Sequence, residues 1–589
     1  MLRQVVLCFF LLFPSGAVFA DESNPLEESP LQEETRQLVR KLGDDSFVVR
    51  ERAEAQLLRI GIDAYAELQR ARNDSDVEIA RRAEKILSQY EMLFIGQEHE
   101  SVRYWITFYA FQTDPVEKGK VIWLLCNPFS DARNGEGLRT LCRIARFDET
   151  HSLRAEAVKG LIASPPVTPA KQRKWYRSLR EMIADPGDDE LLRLLALFVD
   201  LRCTLDDKKE AAEIAAKEEE KRTGVPVLYP VIPPVDEMLR QRVRELTDRI
   251  AAFQAKPENN EIRPGNRNDI LLFYALAELQ ELVGLTEERD RTVAAAAAVR
   301  TEDASNENPL ELGESRPFYD HFLVARILRY KYRLKWSMQH ALLVAEHGYL
   351  LFKIDACQLA AETCQFEKRF PESIRYFDQA IELAKSKDFT DLQSNSAELV
   401  KKFSTGRFLT LAQQAVEAGD WDKVREHVDA GLKLDPYELD ILILAWRLCQ
   451  RRPGPDENYR KEIDRKIDSA LRNIERGIYR EPNTELRRYK ALDACNQAAW
   501  LLANTGGDYA SSLALIEEAV KEEPESIAYL DTLAHVYSSG KQYDKAVEAQ
   551  ETAVRLAPEG VIFRDALERF RKERDENRGA ESDAEEIAK

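Results

Sequence analysis

Apolar residues along this 589-residue chain recur at helical spacing between short polar breaks that carry glycine or proline. In "LVRKLGDDSFVVRERAEAQLL" (38–58), Ala53 and Leu57 lie four apart on one face of a predicted helix. In "SVRYWITFYAFQ" (101–112), Tyr104, Trp105, Phe108, Tyr109 and Phe111 fall mostly at helical spacing, the stripe that a helix buried among other helices needs. One stretch invites another reading. "VIWLLCNPFSDARNGEGLRTLC" (121–142) sets an apolar run before Gly135 and Gly137 and a helical segment, the layout of a phosphate-holding strand, turn and helix. Its spacing argues against that. The glycines begin eight residues beyond Cys126, Thr140 occupies the third glycine place, and Glu136 opposes a phosphate. Upstream, Asp114, Pro115 and Glu117 form a helix-start signal, so residues 115–126 are predicted as a helix. Residues 127–135 then become a connector, and 136 onward the next helix.

The same pattern returns in blocks. "YASSLALIEEAVKEEP" (509–524) matches "YDKAVEAQETAVRLAP" (543–558): Tyr509 with Tyr543, Ala519 with Ala553, Val520 with Val554 and Pro524 with Pro558, each pair 34 apart. Gly506 aligns with Gly540 in the preceding turn. Each unit reads as helix, glycine turn, helix and proline stop. Near the other end the period is 30: Leu38 pairs with Leu68, Asp44 with Asp74, Phe47 with Val77, Ala53 with Ala83 and Leu57 with Leu87. The two aspartates stand where they can cap the second helix of a pair. Asp148, Leu153, Arg154 and Ala157 carry the same pattern within 147–162.

The 34-residue unit resembles the tetratricopeptide repeat. Leu530, Leu533, Ala534, Tyr537, Ala546, Ala553 and Pro558 stand at that family's signature positions, whereas Gln550 replaces a bulky apolar residue. Looser copies begin at Trp421, with Gly431 in the alanine place, and at Phe370, with Ala380 but no final proline. A further helical pair covers 269–300 and turns at Gly284. The 30-residue unit is similar to HEAT or armadillo-type repeats, though shorter. Together these imply an all-α fold, an α-α superhelix or solenoid of helical hairpins, HEAT-like first and tetratricopeptide-like afterwards.

Residues 1–20 read as a secretory signal peptide: Arg3, a nine-residue apolar stretch from Val5 to Phe13, and a small-residue ending at Ala20. Nine apolar residues are too few to span roughly 30 Å of hydrocarbon, and no later segment is long and apolar enough. The expected organisation is HEAT-like repeats over 31–205, a charged and proline-rich linker over 206–267, degenerate tetratricopeptide-like repeats over 268–450, further repeats with a capping helix over 451–575, and a disordered acidic tail over 576–589. The four prolines of "TGVPVLYPVIPPV" (223–235) mark the linker, and the charged run before it (206–222) reads as a solvated helix or a loop.

A net charge of −19 lacks the basic face that a nucleic-acid partner requires. Beyond Cys8 in the signal segment, seven cysteines are spread widely. Cys357 and Cys364 would lie about 10 Å apart on one helix, too far to bridge. Buried free thiols are expected, with a Cys126–Cys142 bridge left open. The chain contains no Gly-Lys-Ser/Thr loop, no Gly-x-Ser-x-Gly elbow, no His-Glu-x-x-His and no Cys-x-x-Cys. No catalytic, cofactor or metal residues are therefore nominated. His340 and His347, two turns apart, are too distant to share a metal. What the repeat resemblance implies is a non-catalytic scaffold that binds protein or peptide partners, without fixing an oligomeric state. Asn496, Trp500, Asp531 and His535, on first helices of the last repeats, are the candidate partner-binding residues. The localisation expected is bacterial and exported, periplasmic, cell-envelope or secreted. The alternative is a cell-wall glycan-acting enzyme, or an accessory to one, with its site in 101–142.

Overall fold

The computed structural model describes residues 30–60, 64–93, 100–126, 136–165, 169–183, 186–224, 231, 233–261, 267–299, 318–451, 457–479 and 485–587. Among these there is no β-strand, and no helix is long and apolar enough to cross a membrane. The expected signal segment and the connector 127–135 lie outside the described residues. The chain divides into two compact units. The first comprises residues 1–166, 174–204 and 236–264; the second comprises 167–173, 205–235 and 265–589.

The first unit contains α1 (Pro30–Lys41), α2 (Phe47–Ile60), α3 (Tyr65–Ala71), α4 (Val77–Leu93), α5 (Glu100–Phe111), α6 (Pro115–Leu125), α7 (Glu136–Phe147) and α8 (His151–Ala163). They pack mainly in consecutive pairs, α1 with α2, α3 with α4, α5 with α6 and α7 with α8, and α6 also packs on α8. Ala53, Leu57, Ala83 and Leu87 are all buried, as the 30-residue register requires. The capping differs from expectation. Asp44 and Asp74 accept from the amides of Ser46 and Asp76, two residues on, in short side-chain turns. Asp76 itself accepts from Glu78 and Ile79 at the start of α4. Both aspartates stand two residues before the cap position, too early to reach the first helical amides. The stretch 121–126 is helical, as Asp114 predicts: its carboxylate accepts from the Val116 amide, with Pro115 in the first turn. Buried α8 carries Lys159 and Glu156 inside; Lys159 donates to Asn260 at 3.0 Å, and the pair lies 3.6 Å apart.

The expected linker is largely helical. After α9 (Pro169–Met182), α10 (Glu190–Thr223) runs unbroken through 206–222. Its charges sit at helical intervals, Arg222 pairing with Glu219 and Lys209 with Glu213. Next, α11 (Glu237–Ala255) buries Leu239, Val243, Leu246, Ile250 and Phe253, one face of a helix capped by Asp236. High charge had masked that stripe.

In the second unit, helical pairs follow one another: α12 (Arg267–Leu282) with α13 (Thr286–Ala298), α14 (Tyr319–Tyr330) with α15 (Leu334–His347), and α16 (Leu350–Phe366) with α17 (Phe370–Lys385). A short α18 (Lys387–Leu392) leads to α19 (Ser396–Glu417) and α20 (Trp421–Leu434), then α21 (Leu439–Arg451) and α22 (Glu457–Tyr479), α23 (Glu485–Asn504) and α24 (Tyr509–Glu522), and α25 (Ile527–Ser539) and α26 (Tyr543–Leu556). The last helix, α27 (Val561–Ile587), packs on α26. It continues past residue 576, where disorder was expected; Arg578 pairs with Asp544 at 2.6 Å and helps to hold the helix there.

Among the described residues of this unit a single turn geometry recurs six times. Gly284, Tyr332, Lys368, Gly419, Gly506 and Lys541 all adopt left-handed backbone, with φ between 54° and 75°. In each case the amide one residue later reaches back five residues: Leu285 to Gln280, Arg333 to Leu328, Arg369 to Cys364, Asp420 to Ala415, Gly507 to Leu502 and Gln542 to Tyr537, at 2.8–2.9 Å. This is the Schellman ending of a first helix. It shifts the alignment at one place: the partner of Gly506 is Lys541, not Gly540. The turn after α23 holds one more residue, so the following tyrosines stay 34 apart while the turns do not. Gly540 has an ordinary φ of −85° and is needed for space, since a Cβ there would overlap the Tyr509 ring.

Candidate functional site

The four residues nominated from sequence lie on α23 and α25, first helices that pack side by side. Ala499, Ala534, Ala546 and Ala553 are buried, small residues that let these helices and α26 approach closely. The faces opposite them carry polar groups. The structure brings Trp500 and His535 together, with ring centroids 4.6 Å apart, and Phe570 of α27 meets the far side of the imidazole edge-on at 5.2 Å. The indole N–H of Trp500 donates to Asp440 of α21 at 2.9 Å. Four consecutive first-helix positions thus meet in one layer.

Hydrogen-bond roles in this layer follow from its arginines, which only donate. Arg569 meets His535 Nε2 at 3.1 Å, so that nitrogen accepts, and His535 Nδ1–H donates to Asn504 Oδ1 at 3.1 Å. Arg447 donates to the same Asn504 oxygen at 2.8 Å. His535 is neutral: burial, then the charges of Arg569 and Arg447, hold it well below the ordinary imidazole range. Asp531 accepts from Gln550 at 2.8 Å. Burial pushes its carboxyl up to about 6, against the Gln550 hydrogen bond and the Arg569 charge, which hold it down. Asn496 is buried at 8% exposure, and its side-chain oxygen has no protein partner. Gln550, flagged as a departure from the repeat signature, is fully buried and ties Asp531 to the Phe563 carbonyl. The sequence missed Asp440, Arg447, Asn504 and Arg569. Only helix register, four positions on from Trp500 in the case of Asn504, pointed to any of them.

A second polar cluster was also missed. His321 and His340 stack with their Nδ1 atoms 2.7 Å apart, His340 Nε2 meets the Tyr274 hydroxyl at 2.6 Å, and His321 Nε2 meets the Val299 carbonyl at 2.9 Å. The carbonyl can only accept, so the proton order is set along the chain: His321 donates to Val299, His340 to His321 and Tyr274 to His340. Both imidazoles are neutral. Burial first, then His321, pushes His340 down to about 3.

Among the described residues of 101–142, Ile106 and Tyr109 are buried while Tyr104 is exposed. Tyr109 is 2% exposed and donates to Asp148 at 2.7 Å; Lys118 lies over its ring. Trp105 stacks edge-on with Tyr104 and Phe108. Cys126 and Cys142 are free thiols, as are Cys203, Cys357, Cys364, Cys449 and Cys495. Burial raises Cys142 to about 12, which keeps it protonated and unreactive. Among the described residues, no group of three or more His, Cys, Asp or Glu is placed to hold a metal.

A family model for the tetratricopeptide repeat matches residues 527–559, the pair α25 and α26. The chain therefore carries a tetratricopeptide repeat. No curated protein matches. Solved structures resembling the chain include the tetratricopeptide domain of P58(IPK), at 13% identity over 56% of this chain and 94% of that one, with a TM-score of 0.16. The Cut9–Hcn1 hetero-tetramer of APC/C is similar at 12% identity over 92% and 96%, TM-score 0.25. Human IFIT1 with m7Gppp-AAAA is similar at 14% over 90% and 96%, TM-score 0.21.

Proposed function

We propose that the second unit binds a protein or peptide partner through the polar face of its first helices, centred on Asn496, Trp500, Asp531 and His535. The observation that carries this reading is the layer linking Asp440, Trp500, Asn504, His535 and Arg569 across α21, α23, α25 and α27. Repeats need their second helices to pack. On the first helices Trp500, Asp531 and His535 are half-buried and Arg569 is exposed, braced from within by buried Asn504, and such a rigid polar and aromatic face supports recognition of a partner. The reading is non-catalytic: His535 is neutral with both nitrogens engaged, so no free base stands beside a nucleophile. Photo-crosslinker placed at Asp531 or His535 in cells is expected to trap a reproducible protein. Recovery of none from either position would refute this assignment.

The N-terminal segment supports export, and the 30-residue register supports a HEAT-like first unit; both belong to the same proposal. An alkaline-phosphatase fusion after residue 30 is expected to be active in a bacterial host, and an inactive fusion would contradict export. The glycan-acting alternative has no comparable support, since Tyr109 and Asp148 spend their polar groups on each other.

A further inference from the structure

Burial accounts for most of the 30-residue register: Ala53 and Ala83, like Leu57 and Leu87, match because each lies in a core. It does not account for Phe47 and Val77, which match at the same spacing but face water at 61% and 79% exposure. Each begins the second helix of its pair, α2 and α4. Val48, beside Phe47, is 55% exposed. The next two pairs repeat the placement, with Val116 in the first turn of α6 and Phe147 at the end of α7, in the turn to α8, both exposed. Among the described residues ten large apolar side chains are exposed, and five of them sit in these four turns. Apolar side chains scattered singly over a surface need no explanation, but a concentration at one repeat position does.

The first two of these turns form one patch. A Cβ on Gly43 would stand 2.7 Å from Asp76 Oδ2 and 2.8 Å from Ile79 Cγ1, so the turn into α2 packs directly on the turn into α4. Arg50 braces the patch. It donates to the carbonyls of Asp44 and Asp45 at 2.6 and 3.1 Å, lies 3.4 Å from Glu78 of α4, and stands 5.8 Å from the centre of the Phe47 ring. Four exposed carboxylates lie beside the apolar groups: Asp44, Asp45, Asp74 and Asp76. Asp44, Asp74 and Asp76 accept from backbone amides of their own turns, which fixes them in place without neutralising them. Among the described residues none of the four makes an ion pair, since the nearby arginines are engaged elsewhere, Arg50 with Glu78 and Arg72 with Glu84.

We propose that this patch docks a basic protein segment that carries apolar residues among its lysines or arginines. Phe47, Val48 and Val77 supply the anchors, and the four carboxylates select the charge. The same carboxylates disfavour the other surfaces that cover exposed apolar groups. A membrane presents anionic headgroups, which they repel. A second copy docking by two-fold symmetry would set the patch against itself, carboxylate facing carboxylate, in a chain of net charge −19. The patch lies in the first unit and is independent of the face bearing Asp531 and His535.

The test measures binding of labelled helical peptides to the full-length chain by fluorescence anisotropy at low salt. An amphipathic leucine–lysine peptide is the probe, with leucine–glutamate and serine–lysine peptides beside it. The leucine–lysine peptide is expected to bind, and the other two at least tenfold more weakly. Phe47→Ser with Val77→Ser keeps every charge and should weaken binding of the probe at least tenfold. Asp45→Lys, which removes no side-chain hydrogen bond, should weaken it severalfold. Ile214→Ser, at an exposed apolar residue elsewhere, should leave it unchanged. All four positions are exposed, so the circular dichroism of each variant should match that of the parent. Undiminished binding in Phe47→Ser with Val77→Ser would overturn the proposal, as would equal binding of the leucine–glutamate peptide. Binding to phosphatidylglycerol vesicles, or dimerisation in sedimentation, that the double variant abolishes would overturn it in favour of a membrane or a second copy.

Discussion

The Gln550 side-chain amide donates to the Asp531 carboxylate at 2.8 Å, joining the buried side of one helix to the polar face of the next. A signature position that is usually apolar here supports a candidate binding residue. Gln550→Leu restores an apolar side chain but strands Asp531. The expected loss is about 1–3 kcal/mol at pH 7, since a buried acceptor is left unpaired. A double-mutant cycle with Asp531→Asn, read by denaturant unfolding, should give a coupling of about 1 kcal/mol. Additive losses would remove Gln550 from the site's support.

The left-handed turns make opposite predictions at adjacent residues. Lys541→Gly should stabilise by roughly 1 kcal/mol, because Lys541 is exposed and its φ of 58° suits glycine. Gly540→Ala should destabilise by about 1–3 kcal/mol, because the new methyl group meets the Tyr509 ring. Thermal unfolding of the two variants distinguishes the structural register from the simple 34-residue alignment, which would assign the left-handed turn to Gly540.

Ala553 is fully buried where α26 crosses its neighbours. Ala553→Arg forces a long charged side chain into that crossing and should cost several kcal/mol, on the order of 3 or more. An unchanged melting temperature would refute the packing.

The His321–His340 pair predicts acid sensitivity. Both imidazoles have pKa values below the ordinary 6.5, His340 at about 3. The unfolded chain gains protons from pH 6.5 downward that the folded chain does not, so their stabilisation is complete above pH 6.5 and is lost as pH falls towards 3. Asp355 and Asp531, raised to about 6, act in the opposite sense: their contribution is greatest below the ordinary carboxylate range and fades as pH rises through 6. Stability measured from pH 7 to 4 should fall less steeply in His340→Gln than in the parent. Parallel curves would show that the pair carries no such linkage.

Much of this architecture was legible because helix periodicity and repeat spacing are local. Asp114 announced α6 two residues before its first bonded amide, and Ala553, Leu57 and Ala83 declared buried faces by register alone. The helical state of 206–222 and of α11 was less visible, because dense charge is equally at home on a solvated helix and in a loop. Of the candidate site, Trp500 and His535 were nominated from their place on first helices, but their contact was not legible in the sequence.

The amino-acid sequence by itself determined an all-α repeat chain, the positions of most helices and which faces they bury, since each follows from residues a few positions apart. Only tertiary structure decided that His535 lies between Arg569 and Asn504, that His321 meets His340, and that Tyr332 and Lys368 reach α27. Those relationships join residues from 19 to more than 200 positions apart. Their closeness depends on the accumulated rotation of successive helical pairs, which no local pattern encodes.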